Sequence, residues 1–185
     1  MIPPLNHSGF LPPFLPSGPT SMASMAPYAS TTLELANTFC SSDKRKTLFR
    51  GLLQYREALL AAGITDGFQW INGSFVEDVE STRGSPPNDI DVVTFAYRPV
   101  GASHDSAWAT FVHGNLNLFD LPQIKSNYFC DGFYVDLHLP PSFIVHAARF
   151  WFGLFSHQRD HYLWKGLLQI PLGTDDSSAL AAVSV

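Results

Sequence analysis

Asp89-Ile90-Asp91 is the stretch whose residue types and spacing most plainly specify chemistry. In an extended strand, residues two apart point to one face, so the carboxylates stand side by side while Ile90 and Val92 face inward. At about 6–7 Å they repel by roughly 2–3 kcal/mol in an effective dielectric near 20. A strand face that merely met water would use Thr or Lys more cheaply. A cation belongs between such groups, and hard divalent ions prefer carboxylate oxygens. Asp136, set between Val135 and Leu137, supplies a third acid from a later strand. Three converging carboxylates can hold one or two Mg²⁺ or Mn²⁺ ions and clamp both nucleophile and leaving phosphate in an in-line displacement. A solvent-facing strand whose first Asp caps the Pro86-Pro87-Asn88 turn is the structural alternative for the Asp pair.

Gly73-Ser74 adds to the chemical reading. A strand that ends in Gly-Ser and runs into a helix brings backbone N–H groups and a hydroxyl close to a phosphate. Ser74 and Glu77 also match a capping box, which needs no ligand. Lys165 and Arg159 are the cations proposed to neutralise a triphosphate, with Arg149 near them. His138 shares a face with Asp136, and His157 and His161 stand four apart, a spacing that suits zinc on a helix but finds no third ligand nearby. Trp151, Phe150, Phe152 and Phe155 form a dense aromatic group, better suited to core packing or a partner interface than to stacking a base.

These residues need a scaffold. Leu48, Phe49, Leu52, Leu53, Leu59 and Leu60 recur at helical spacing, which predicts a helix over 42–62 with Ser41 or Ser42 as cap and Gly63 as stop. Lys44, Arg45, Lys46 and Arg50 read as its solvated face. Strands are predicted over 68–71, 89–97, 133–139 and 166–172, and helices over 75–80, 106–113 and 142–155. Residues 81–88, rich in Pro, Gly and Ser, read as loop. Few strands and several helices mean α+β or α/β, a small mixed sheet with flanking helices. Residues 1–30 hold seven of the 14 prolines and read as an extended arm ahead of one domain over 31–185. Phe10, Leu11, Phe14, Leu15 and Tyr28 give that arm apolar side chains for a groove of the body or of a partner.

Ile71-Asn72-Gly73-Ser74, a loop, and Asp89-Ile90-Asp91-Val92 together resemble the signature of the polymerase-β-like nucleotidyltransferase superfamily. Asp136 in Tyr134-Val135-Asp136-Leu137 matches the third acid of such enzymes. The likeness spans about residues 68–139, although 14 residues separate Ser74 from Asp89, a longer spacer than small members show. A closer resemblance is to small bacterial members with Pro3-Pro4-Leu5, Gly9-Phe10-Leu11-Pro12-Pro13 and Gly73-Ser74-Phe75-Val76. The resemblance implies a nucleotidyltransferase palm and transfer of a nucleoside monophosphate from an NTP or dNTP to an acceptor hydroxyl. Asp89, Asp91 and Asp136 would hold Mg²⁺ or Mn²⁺, and Gly73 and Ser74 the phosphates. It also implies a setting in toxin–antitoxin or anti-phage defence. The acceptor would be a cognate partner protein or a short single-stranded nucleic acid. Oligonucleotide synthesis, or nucleotide sensing without turnover, are the alternatives within the same fold.

Composition narrows the field. Eleven Lys and Arg against 16 Asp and Glu leave a net charge of −5, which argues against wrapping duplex DNA. A hydrophobic content of 45% is ample for a core and excludes wholesale disorder. Two cysteines are too few for a disulfide framework. Prolines interrupt the N-terminal apolar residues, so neither a secretory signal nor membrane insertion is expected, and the location expected is cytoplasmic.

Overall fold

The structure is a computed structural model and describes residues 1–158 and 162–184. It is a mixed α+β fold around one five-stranded sheet. The strands are β1 (Tyr28–Ala29), β2 (Gly67–Asn72), β3 (Ile90–Ala96), β4 (Cys130–Asp136) and β5 (Leu168–Pro171), in spatial order β1-β5-β2-β3-β4. β2 runs antiparallel to both its neighbours, while β1 with β5 and β3 with β4 are parallel pairs. The helices are α1 (Thr32–Phe39), α2 (Asp43–Ala61), α3 (Val79–Arg83), α4 (Asp105–Gly114), α5 (Leu116–Phe119), α6 (Leu121–Tyr128), α7 (Pro141–Phe155) and α8 (Asp176–Ala182). No helix among the described residues is long and apolar enough to cross a membrane.

The central helix forms as its leucine spacing requires. Ser42 accepts from Arg45 N at 3.3 Å, Leu48, Phe49, Leu52 and Leu59 are fully buried, and Gly63 follows with a φ of 89°. The expected solvated face is corrected at Arg45, which is buried. Its guanidinium binds the Glu80 carboxylate and the carbonyls of Phe75 and Glu77. Arg56, with no exposed surface, reaches Gln69, Asp176 and the carbonyls of Pro171 and Leu172. It thereby joins α2 to β2, to the C-terminal end of β5 and to α8. At Gly51 an added Cβ would lie 2.2 Å from Tyr128 O, so α2 and α6 meet where no side chain fits.

The proline-rich arm lies on the body. Leu11 is buried, Gly166 N donates to Leu11 O at 2.8 Å, Asp78 N donates to Gly9 O at 2.9 Å, and Tyr28 OH donates to Pro12 O at 2.8 Å. Thr31 and Glu34 then form the capping box that starts α1.

α1 is fastened to α8 through Asp175, which accepts from Thr32 Oγ1 at 2.8 Å and Leu33 N at 3.2 Å. Burial opposes the Asp175 carboxylate, but the hydrogen bonds from Thr32, Thr31, Leu33 and Thr174 outweigh it and bring its pKa down to about 2. A folded pKa below the unfolded value of about 3.9 means stability present above pH 4 and lost as pH falls towards 2. Asp175→Asn is expected to cost about 1–2 kcal/mol at neutral pH. Thermal melts of both proteins from pH 7 to pH 2 check this; the difference should vanish at the acid end, and a pH-independent difference refutes it.

Candidate functional site

Strand register assembles the site. Asn72 pairs with Asp91 across β2 and β3, and Asp91 pairs with Asp131 across β3 and β4. Three residues on neighbouring strands therefore stand level at one end of the sheet, with Asp89 just before β3. A cleft of about 310 Å³ opens there, lined by Gly73, Ser74, Asp89, Asp91 and Asp131 among others.

Gly73 is required at this turn for two reasons. Its φ of 79° with ψ of −168° is a conformation that side-chain-bearing residues avoid. An added Cβ would also lie 1.9 Å from Asp91 Oδ2. The backbone is thus pressed against the Asp91 carboxylate, and Gly73 N is held by Asn72 Oδ1 at 2.8 Å. Ser74 opens a short 3-10 turn to Val76. The expected capping box is corrected: that turn has no side-chain cap. The expected helix over 75–80 divides into this turn and α3, which takes up the first part of the expected loop.

Asp136 is likewise corrected. The strand begins at Cys130, three residues earlier than expected, so Asp131 lies beside Asp91 while Asp136 pairs with Ala96. Five residues of strand put Asp136 about 16 Å further along. There it accepts from Arg98 Nε at 2.6 Å and from His138 N at 2.9 Å, a buried structural pair. His138 Nδ1 in turn accepts from Arg98 N at 3.1 Å, so it belongs to that pair and not to the cleft.

Lys125, from α6, completes the acidic end. Its Nζ lies 2.8 Å from both Asp89 Oδ2 and Asp131 Oδ1. The Asp131 and Asp89 carboxylates, both hydrogen-bonded to it, raise the Lys125 ammonium above its ordinary pKa. Among the described residues no group of three or more His, Cys, Asp and Glu is gathered as a ready ligand set; an ammonium lies between two of the acids. The donors nevertheless suit a hard divalent ion: all are carboxylate oxygens, and two already share one cation.

Lys165 lines the cleft as well, but its ammonium is engaged by the buried Glu77 carboxylate. The cation expected beside a triphosphate thus already has a carboxylate partner. Arg83 Nη2 stands 3.7 Å from the other Glu77 oxygen and also lines the cleft. Arg159 and His161 lie outside the described residues. His157, at the cleft wall, has Gly153 O within 3.2 Å and Ser156 Oγ within 3.1 Å of its Nδ1.

Sequence reasoning missed Asp131, Lys125 and Glu77. Asp131 shares strand parity with Phe133 and Val135 but lies ahead of the strand expected to start at residue 133. Lys125 reaches back to the distant Asp89 and forward to the nearby Asp131, Glu77 meets the distant Lys165, and no helical or strand spacing marks these pairs.

The model of a family described as a family of unknown function (DUF6932) matches residues 3–171. No curated protein matches the chain, and no solved structure does.

Proposed function

This chain belongs to the DUF6932 family, and we propose that it is a metal-dependent nucleotidyltransferase moving a nucleoside monophosphate from an NTP or dNTP to an acceptor hydroxyl. The observation that carries this reading is the Gly73 turn closing on Asp91 in a cleft shared with Asp89 and Asp131. A turn that excludes every side chain beside a carboxylate suits a triphosphate that must lie against backbone and metal-binding acid together. Asp89, Asp91 and Asp131 would hold Mg²⁺ or Mn²⁺, which supplies the positive charge needed for displacement at phosphorus. Gly73 admits the phosphates close to the main chain, and the Ser74 hydroxyl donates to their oxygens. Asp131 accepts the hydrogen bond of the acceptor hydroxyl and orients it. The Glu77–Lys165 pair, neutral as a unit, keeps the cleft wall from repelling an anion.

Thermal unfolding with Mg²⁺ or Mn²⁺ and each NTP and dNTP tests the proposal. Ligand at 100 times its Kd adds about 2.7 kcal/mol, a rise of about 5–10 °C for this size. The rise should need the metal and vanish in the Asp89→Asn, Asp91→Asn double variant. No rise with any nucleotide would overturn the reading.

A further inference from the structure

β4 is one edge of the sheet, and a groove of about 600 Å³ runs along it. Gly132, Phe133, Tyr134 and Val135 form its floor; Trp108 and Phe119 wall one side, Phe143 and Trp151 the other. Part of the floor's backbone faces outward. Phe129 O accepts from Ile90 N and Leu137 N donates to Ala96 O, so the odd-numbered positions turn their peptide groups to β3. By strand alternation, Gly132 and Tyr134 turn theirs to the groove.

Exposed edges are commonly blunted by Lys, Pro or a bulge. Cys130–Asp136 contains neither Lys nor Pro and pairs with β3 without interruption. Beside it α7 leaves Phe143 63%, Val145 67% and Phe150 52% exposed. The groove also neighbours the acidic cleft. β4 places Asp131 in the cleft and Gly132 in the groove, while α7 places Leu154 in the cleft and Trp151 in the groove.

Charge decides the occupant. Among the described residues that line the groove there is no Lys or Arg, His146 is the one basic side chain, and Asp136 is tied to Arg98. A polynucleotide backbone requires cationic neutralisation and finds none there. Outward peptide groups between two aromatic walls suit an extended polypeptide added as a further strand.

Resting on the nucleotidyltransferase reading, we propose that this groove docks an extended segment of a partner protein against β4, so that the acceptor is a Ser, Thr or Tyr hydroxyl of that segment. Alternate side chains of the segment enter the Trp108–Phe119 wall and the Phe143–Trp151 wall. Where the groove meets Asp131, the segment's hydroxyl reaches the carboxylates. Its oxygen forms a bond to the α-phosphorus, the α–β phosphoanhydride bond breaks, and pyrophosphate leaves. The hydroxyl proton passes to the Asp131 carboxylate and on to solvent.

The test selects a displayed random dodecapeptide library on the full chain and on the full chain carrying Phe143→Glu. Phe143 is exposed, and an unchanged melting curve certifies the variant's fold. A labelled single-stranded thymidine dodecanucleotide is titrated in parallel. The expected result is peptides with apolar residues at alternate positions that bind Phe143→Glu at least about tenfold more weakly. They should also slow amide exchange at Gly132 and Tyr134. Equal binding to both chains, helical peptides that leave those amides unprotected, oligonucleotide binding lost in Phe143→Glu, or no enrichment would each overturn the proposal. The metal–nucleotide melt on the wild-type chain separates the two readings. A nucleotide shift without peptide binding removes the groove; peptide binding without a nucleotide shift removes the transfer reaction and leaves a docking surface.

Discussion

Asp131→Asn is expected to lower nucleotidyl transfer by about 10³-fold while the protein stays folded. Asp131 is level with Asp91 and shares Lys125 with Asp89, so the change removes a charge from the centre of the cleft. Positioned charge at the reacting phosphate is commonly worth two to three orders of magnitude, about 3–4 kcal/mol of barrier. Asp136→Asn should behave in the opposite way. It leaves the buried Arg98 guanidinium with Asp105 and a carbonyl but without its inner carboxylate, costing about 2–3 kcal/mol of stability. The nucleotide-induced rise in melting temperature should survive in that variant. Pyrophosphate release and thermal melts on both proteins decide the matter. An inactive, stable Asp136→Asn beside an active Asp131→Asn would reverse the assignment of the third acid.

Gly73→Ala is expected to have an equally large effect by another route. The new methyl group would fall 1.9 Å from Asp91 Oδ2 and 2.9 Å from Asp91 Cγ, so the carboxylate must rotate away. The backbone at Gly73 must also hold a conformation closed to alanine, a strain of about 1–3 kcal/mol. Activity should fall by about 10³-fold through the displaced Asp91. A melt in Mg²⁺ and nucleotide should show a lower baseline and no ligand-induced rise. An active Gly73→Ala protein would mean that the turn does not need its close approach to Asp91.

Strand register decides which residues of the cleft were legible in the sequence. The leucine spacing of α2, its Ser42 cap and the Asp89–Asp91 strand were legible because each is a local pattern. Asp131 was not, because membership in the cleft depends on which residue of β4 stands beside Asp91. A strand read from Phe133 instead of Cys130 omits Asp131 and offers in its place Asp136, which pairs five positions further along β3. Lys165 was read as a free cation because Glu77, 88 positions earlier, gives no local sign that it will meet it. α5 and α6 escaped notice for a related reason: each is short, and Leu118 and Ile124 are the buried positions that anchor them. The Thr31–Glu34 capping box, by contrast, was written in the sequence and marks α1 for a reader who looks for it.

Two of the arm's hydrogen bonds have a temporal consequence. Gly9 and Leu11 hold Asp78 and Gly166, the immediate neighbours of Glu77 and Lys165 in the cleft wall. Gly9 and Leu11 thus fasten a wall whose other side is synthesised long after them, and β1 likewise waits for β5. Contacts so far apart along the chain slow folding, because a long loop closes before they yield any stabilisation. During that interval Phe10 and Leu11, buried in the finished protein, lie open to solvent. A nascent chain halted before Gly166 would hold all three cleft aspartates and still lack the strand beside which β1 must settle.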